Sequence, residues 1–267
     1  VSIHCTAVSL LRKLCKLPRM KKFVQSFLQK LLGFERYLLL FSWFKIKTLH
    51  LDGPDKEGDF LYFLSLLPED GHVLDIGANI GIMTVLMAQR CPKGKVYAYE
   101  PVPENYRALE RICRFMKVDN VALYQAALGP SEGTVKMQMP EIQGVRMQGL
   151  SHVVHDSIEG FGEKGSYYEV PQLVLDISLR ERSQPITAIK MDVENYEQFV
   201  LQGATELLRT DRPILYLELW DNENRERCFS LLRGLGYEVQ VLVEKKLQVF
   251  EAQRHQQHNF FFVPTQS

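Results

Sequence analysis

The sequence is poor in cysteine and contains no CxxC pair. Its five cysteines are odd in number and scattered, at Cys5, Cys15, Cys91, Cys113 and Cys228. A disulfide-stapled fold and a structural zinc site built on cysteine are therefore not expected. The thiols are instead predicted to be reduced, which is typical of a cytoplasmic protein, and Cys91 and Cys113 are predicted to be buried as small apolar residues.

The chain also lacks a surplus of charge and a long apolar run. It has 32 basic and 32 acidic residues among its 267, so its formal net charge is zero and no nucleic-acid partner is expected. No run approaches the roughly 20 apolar residues that a membrane-spanning helix needs. The first residues also lack the apolar centre and small-residue cleavage site of a secretory signal.

The zero net charge hides an uneven distribution. Residues 1–50 contain ten basic residues and a single acidic one, Glu35. Apolar residues recur at helical spacing from residue 8 to residue 32, with a break expected at Pro18. We interpret residues 1–58 as a basic, mostly helical extension of a main domain at 59–267. The extension is predicted to pack on that domain; the alternative is peripheral contact with an anionic membrane or a partner.

Strand-like and helix-like patterns alternate through the main domain. Strands are predicted at 73–76, 95–99, 121–126, 188–191 and 214–219, helices at 59–67, 80–90, 104–116, 198–208 and 225–235, and closing strands at 237–243 and 259–263. This alternation predicts a Rossmann-like α/β fold, with a mostly parallel seven-stranded sheet and helices on both faces. Residues 140–171 show no clear elements and are predicted to form a lid over the site.

The most informative segment runs from an apolar strand into a glycine turn and a helix. In it, Gly77 lets a ligand approach the backbone, and Gly81 lets the helix pack closely on the strand. The spacing D-x-G-x-N-x-G differs from the G-x-G-x-x-G that binds a pyrophosphate. We predict that the carboxylate of Asp75 faces the ligand, where it disfavours a diphosphate and suits the ammonium group of S-adenosylmethionine (SAM).

Further cofactor contacts are predicted at the ends of the next two strands. Glu100 lies where this architecture binds ribose hydroxyls. Gln125 and Ala126, at the end of the third strand, are predicted to lie against the adenine. The full predicted cofactor set is Asp75, Gly77, Ala78, Asn79, Gly81, Glu100, Pro101, Asn105, Gln125 and Ala126.

Several ordered segments of the main domain resemble the FkbM family of SAM-dependent methyltransferases. They include VLDIGANIG (73–81), KVYAYEPVPEN (95–105), IKMDVENYE (189–197) and LLRGLGYEV (231–239). The resemblance spans about residues 70–263. It implies the class I methyltransferase fold, SAM as cofactor, and O-methylation of a hydroxyl on a sugar or small-molecule metabolite. One position departs from the family pattern D-V-E-G-x-E, because Asn195 stands in place of glycine.

The catalytic residues are predicted at the carboxyl ends of two later strands. Asp192 is the predicted general base, Lys190 tunes its charge, and Glu218 ends the neighbouring strand. An alternative base is His152 or His155. Another alternative is a Mg²⁺ ion held by Asp192, Glu194 and Glu218. The preferred prediction includes no metal ligand.

Three rival functions stay open on the sequence alone. An NAD-dependent oxidoreductase needs a pyrophosphate site, which the turn at residues 75–81 does not match. A SAM-binding or membrane-surface module without catalysis would retain its role when Asp192 is replaced. RNA methylation is disfavoured by the neutral charge of the chain. The sequence does not give the methyl acceptor or the oligomeric state.

Overall fold

The computed structural model describes residues 29–49, 54–142, 145–155 and 164–265. The helices predicted between residues 8 and 28 lie outside these ranges, and so do residues 156–163 of the predicted lid. In chain order the elements are α1 (Phe34–Thr48), α2 (Pro54–Leu66), β1 (His72–Ile76), α3 (Ile82–Arg90), β2 (Lys95–Tyr99), α4 (Pro103–Met116), β3 (Val121–Tyr124), β4 (Ala127–Leu128), β5 (Gly133–Ile142), β6 (Val145–Arg146), β7 (His152–Val153), β8 (Gly165–Leu173), α5 (Leu175–Ser178), β9 (Ile186–Met191), α6 (Glu197–Gln202), α7 (Thr205–Thr210), β10 (Ile214–Glu218), α8 (Glu223–Gly234), β11 (Tyr237–Val243), β12 (Lys246–Val249) and β13 (Asn259–Pro264).

The main sheet has eight strands in the order β12-β11-β13-β10-β9-β1-β2-β3. The five strands from β10 to β3 are parallel, and β13 is antiparallel to both β10 and β11. This confirms the predicted Rossmann-like α/β fold. The predicted count of seven strands was wrong by one, because β12 pairs with β11 as a hairpin. Its turn places Glu244 and Lys245 at positive φ without the Asn-Gly or Asp-Gly signal that marks such turns.

The central strands are buried on both faces, as parallel strands covered by helices are expected to be. Successive side chains of β13 show the alternation of a strand directly. Phe260 and Phe262 pack in the core on one face of the sheet. Phe261 packs on the opposite face with Phe60 and Phe63 of α2. Two apolar layers therefore hold the sheet rigidly in place between its helices.

Helix α1 contains the apolar stretch at residues 37–44 and packs against the helices that follow β1 and β2. The buried hydroxyl of Ser42 donates a 2.9 Å hydrogen bond to the carbonyl of Ile80, in the glycine turn. Glu35 forms ion pairs with Arg107 (3.0 Å) and Arg111 (2.7 Å) of α4. The described part of the basic extension therefore contacts the main domain beside the turn.

The region expected to lack clear elements instead forms a second sheet. Strands β4, β8, β5 and β6 lie side by side, and β7 also pairs with β5, at Met137 and Gln138. The long pairing of β5 with β8 is antiparallel from Gly133↔Gln172 to Pro140↔Gly165. Local periodicity does not reveal this pairing, because it joins segments about thirty residues apart.

One local prediction around α6 was also wrong. Residues 198–208 form two short helices, α6 and α7, rather than one. Gly203 lies between them, and a Cβ added there would be 2.2 Å from the carbonyl oxygen of Gly129. Asp176 does not cap its own helix. Its carboxylate accepts hydrogen bonds from the backbone N–H groups of Glu206 and Leu207, so it caps α7 instead.

A partly buried ion pair fixes the start of β9. Asp211 accepts hydrogen bonds from Nε and Nη2 of Arg182, at 2.9 and 2.6 Å, and from the backbone N–H of Ile186 at 2.7 Å. Burial by itself raises the pKa of Asp211, but the hydrogen bonds from Arg182 and Ile186 outweigh it and hold the pKa below its ordinary value. The carboxylate therefore stabilises the folded state only while it is ionised.

We expect Asp211→Asn to lower the free energy of unfolding at pH 7 by about 2 kcal/mol, because hydrogen bonds to a charged group are lost. The folded-state pKa is depressed, so the contribution is present above the unfolded pKa of about 3.8 and disappears as the pH falls below it. Urea unfolding of both proteins at pH 7 and near pH 3 measures the difference. An undiminished difference at the lower pH would contradict this assignment.

Candidate active site

A cleft opens at the carboxyl ends of β1, β2 and β9, where ligands bind in sheets of this kind. It encloses about 590 Å³, part of which is open to solvent. The predicted site residues that line it are Gly77, Asn79, Glu100, Pro101, Asn105, Ala126 and Asp192. Four parallel strands, β1, β2, β3 and β9, and the loops after them therefore bring these positions to one place.

Gly77, in the turn after β1, lies very close to the backbone of Asp192, in the loop after β9. It has φ +76°, and a Cβ added there would lie 1.9 Å from the carbonyl oxygen of Asp192. Only glycine avoids both the unfavourable backbone angle and this clash. The backbone N–H groups of Gly77 and Ala78 both donate to the carbonyl of Tyr99, at 3.1 and 3.0 Å, which fastens the turn to β2. The turn is thus held between β2 and the loop after β9.

Glu100 and Asn79 connect the turn to the end of β2. The backbone N–H of Asn79 donates to Glu100 Oε2 at 2.7 Å, while Val102 N–H (2.9 Å) and Asn105 Nδ2 (3.3 Å) donate to Oε1. Oε2 thus receives one hydrogen bond and keeps acceptor capacity. Burial raises the pKa of Glu100 to about 7, against the effect of these hydrogen bonds.

Asp75 does not face the cleft, and the predicted contact with a cofactor ammonium group is wrong in this structure. Its side chain is fully buried and pairs with Lys190, at 3.3 Å from Nζ to Oδ1, while Thr84 Oγ1 donates to Oδ2 at 2.5 Å. Lys190 Nζ also donates to the carbonyl of Gly77 at 2.9 Å. The two residues are register partners on β1 and β9, so their side chains meet beneath the turn.

Five other predicted residues also lie outside the lining of the cleft. Ala78 is buried in an apolar cluster, and a Cβ on Gly81 would meet Ile112 and Leu109 at under 3 Å, so both positions serve packing. Gln125 is exposed, and Glu218 at the end of β10 is partly buried. Lys190 is likewise absent from the lining, because Asp75 and Gly77 hold its ammonium group.

A group of carboxylates surrounds the loop after β9. Burial raises the pKa of Asp192, and the nearby Lys190 offsets this only in part. Glu194, at φ +53°, also lines the cleft; burial and the neighbouring carboxylates, Asp192 first among them, raise its pKa to about 8. Glu197 is fully buried and accepts from Val193 N–H (3.1 Å) and Asn224 Nδ2 (2.6 Å), so it anchors the loop.

The second sheet supplies the wall that the sequence did not specify. Met137 of β5, Val153 of β7, and Gly149 and Ser151 between them line the cleft, as do Tyr99 and Tyr196 from the main sheet. Ser151 lies in the segment predicted to be a lid, but its place in the wall depends on the β5–β7 pairing. The two histidines considered as bases are not in the lining: His152 is buried with Nδ1 3.0 Å from the carbonyl of Leu150, and His155 packs on Phe199.

The described residues contain no group of three or more His, Cys, Asp or Glu side chains arranged to hold a metal ion. The alternative that joined Asp192, Glu194 and Glu218 around Mg²⁺ therefore finds no support in their placement. The cysteines at 91, 113 and 228 are buried free thiols, as predicted for the first two.

Comparison with known proteins decides the family. The Methyltransferase FkbM domain matches residues 75–257, which is more than half of the chain. The chain belongs to the FkbM family of SAM-dependent methyltransferases. It is 24% identical over 199 residues to Methyltransferase 1 of Beauveria bassiana, covering 70% of this chain and 76% of that protein. It is also 24% identical over 208 residues to Methyltransferase sdnD of Sordaria araneosa, covering 68% and 79%.

Solved structures similar to this FkbM-family chain were found at low identity. One is Methyltransferase FkbM from Methylobacillus flagellatus, with 15% identity and a TM-score of 0.49, covering 74% of this chain but only 45% of that protein. Another is the Aeropyrum pernix fibrillarin with natively bound SAM, with 14% identity and a TM-score of 0.45, covering 76% and 71%.

SAM is the cofactor of this family, and the residues present in the cleft fit it. Asn79 Oδ1 is buried, has no hydrogen-bond partner in the structure, and belongs to a residue that lines the cleft. Asn79, Glu100 and Asn105 would hold the polar groups of SAM, with Ala126 against a flat ring. Family membership also removes the NAD-dependent oxidoreductase from consideration.

We expect Gly77→Ala to weaken SAM binding severely and to lower the free energy of unfolding by about 3 kcal/mol, because the new Cβ meets the Asp192 backbone. Calorimetry with SAM and thermal unfolding measure the two effects. Gly133→Ala is the matched control, since an added Cβ there meets nothing within 4 Å. If both alanine variants bound SAM equally well, the close approach at Gly77 would not matter for the cofactor.

Proposed function

We propose that this methyltransferase transfers a methyl group from SAM to a hydroxyl group of a sugar or other small-molecule metabolite, with Asp192 as the general base. The observation that carries the proposal is the position of Asp192. It lines the cleft at the end of β9, and its backbone carbonyl lies against Gly77 in the glycine turn after β1. A proton acceptor is thus placed in the same cleft as the cofactor.

The surroundings of Asp192 suit proton transfer. Burial raises the pKa of Asp192 above its ordinary value, while Lys190 limits the rise. A base works best when its pKa lies near the working pH. Lys190 contributes through this charge and through its hold on the Gly77 carbonyl, so it is a positioning residue rather than a group that contacts the substrate.

Glu194 favours a neutral hydroxyl acceptor. With a pKa of about 8, most Glu194 side chains carry a proton at pH 7 and present an O–H donor. Its Oε2 atom is buried without a hydrogen-bond partner. A sugar or polyol offers an acceptor oxygen for this O–H group and a second hydroxyl for Asp192. The two carboxyl groups therefore complement each other as a donor and a base.

SAM supplies an electrophilic methyl group on its sulfonium when it is bound. The chain aligns the acceptor hydroxyl in the cleft, and alignment of this kind accounts for a large share of such rate accelerations. Asp192 would accept the proton that the acceptor hydroxyl loses, while the carbon–sulfur bond of the bound sulfonium would break and release a neutral thioether. The wall built by Met137 and Val153 limits the access of water, which would otherwise compete for Asp192.

The proposal is tested by incubating the protein with methyl-labelled SAM and a panel of sugars, polyols, phenols and amines, with and without a chelator. We expect label transfer to a hydroxyl compound and no change on chelation. Transfer only to amines would reject O-methylation. Transfer that disappears with the chelator would restore the magnesium alternative.

We expect Asp192→Asn to reduce kcat for the acceptor found in this screen by about a hundred- to ten-thousand-fold, because the proton loses its acceptor. The affinity for SAM should stay within a few-fold of the original, as calorimetry would show. Asp119→Asn is the matched control, since this exposed residue precedes β3 at the opposite end of the sheet. Full activity of Asp192→Asn would favour the non-catalytic SAM-binding alternative.

The protonation of Glu194 gives a prediction for pH dependence. Its pKa is raised to about 8, so its O–H donor is present below that pH and is lost as the pH rises through it. We expect kcat/KM to fall above pH 8 in the unmodified protein. Glu194→Gln keeps a donor at all pH values, so its alkaline decline should be absent. An identical alkaline decline in both proteins would remove Glu194 from this role.

A further inference from the structure

The outer face of α1 combines apolar and basic side chains in a single stripe. Arg36, Leu40, Trp43 and Lys47 are spaced by four, three and four residues, which places them along one side of a helix. All four are exposed; Leu40 is 45% and Trp43 37% accessible. We call these four residues the α1 stripe. It faces away from the side of α1 on which Leu38 and Ser42 are buried.

Exposed apolar residues are concentrated near this stripe. Ten large apolar side chains are exposed in the described part of the chain, and three of them, Leu31, Leu40 and Trp43, lie within thirteen residues. Leu31 is 66% accessible and follows the exposed Lys30. The other seven are distributed over the rest of the fold. Scattered exposed apolar residues are ordinary, but a local group bounded by cations indicates a binding surface.

The charge around the stripe is of one sign. Glu35 is the only acidic residue in the first fifty, and its carboxylate pairs with Arg107 and Arg111 on the packed side of α1. Residues 1–50 therefore carry 10 − 1 = +9, while residues 51–267 carry 22 − 31 = −9. An anionic surface would therefore attract residues 1–50 and repel the net-acidic remainder of the chain.

We propose that the α1 stripe docks this protein onto the surface of an anionic lipid bilayer. Tryptophan and leucine flanked by lysine and arginine suit the boundary between lipid headgroups and acyl chains, where the aromatic ring and the long basic side chains each find both environments. None of the helices in the described ranges has the length and apolar character to span a bilayer. The contact is accordingly one of surface adsorption along α1.

Flotation with vesicles tests the proposal on the full chain. Vesicles of phosphatidylcholine alone are compared with vesicles that also contain phosphatidylglycerol, at low and high salt. We expect binding to the anionic vesicles only, weakened by salt because exposed charges are screened. The chain has two tryptophans, so Trp220→Phe leaves Trp43 as the sole indole. Its emission should shift to shorter wavelength on binding.

Two variants separate the stripe from other causes of binding. Leu40→Gln with Trp43→Gln should abolish flotation, while Ile177→Gln with Val249→Gln removes two similarly exposed apolar side chains elsewhere and should not. Arg36→Gln and Lys47→Gln should each weaken binding to anionic vesicles by roughly fivefold. Far-ultraviolet circular dichroism and SAM affinity, expected to be unchanged, show that each variant is folded.

Three outcomes would overturn the proposal. Flotation that survives Leu40→Gln with Trp43→Gln would assign any membrane contact to the basic residues 1–28 instead. Equal binding to neutral and anionic vesicles would remove the charge argument. A stripe variant that changes only the oligomeric state, measured by light scattering, would make a second copy of the chain the occupant of this face.

Discussion

The buried pair of Asp75 and Lys190 is the interaction on which the geometry of the site depends. Both side chains are removed from water, and a charge in that position is tolerated only when it is paired and hydrogen-bonded. Burial lowers the pKa of Lys190, but Asp75 and Asp192 outweigh it and keep the ammonium charged. That charge then holds the carbonyl of Gly77. The pair therefore connects β1 and β9 with the glycine turn that follows β1, at the edge of the cleft.

The same principle operates one strand further along. Glu100 is buried at the end of β2, and the backbone of Asn79 satisfies part of its hydrogen-bonding capacity. The turn at residues 77–81 is thus fixed from below by Lys190 and from the side by Glu100. A loop fixed in this way loses little conformational freedom when a ligand binds, and this preorganisation improves affinity.

The sequence predicted the main sheet and most of the cleft residues that would hold SAM, because both depend on local patterns. Apolar strands that end in glycine or acid, at regular intervals, placed Gly77, Asn79, Glu100 and Ala126 at one edge of the sheet. The electrostatic reason given for SAM over NAD did not survive, since Asp75 turns to Lys190 rather than to the ligand. Strand periodicity predicts the face of the sheet on which a side chain lies. It does not predict that Lys190, 115 positions later in the chain, pairs with Asp75.

The wall of the cleft that the second sheet forms could not be predicted for a different reason: it depends on pairing between distant strands and on one unusual loop. The β5–β7 and β5–β8 pairings position Met137 and Val153, and no local signal specifies them. In the loop after β9, Asn195 replaces the family's glycine at φ +70° and accepts a 2.6 Å hydrogen bond from Asn222 Nδ2. Glycine would permit the angle but could not make this bond. The substitution therefore exchanges backbone freedom for a tie to the start of α8, and it restrains the loop that carries Glu194 into the cleft.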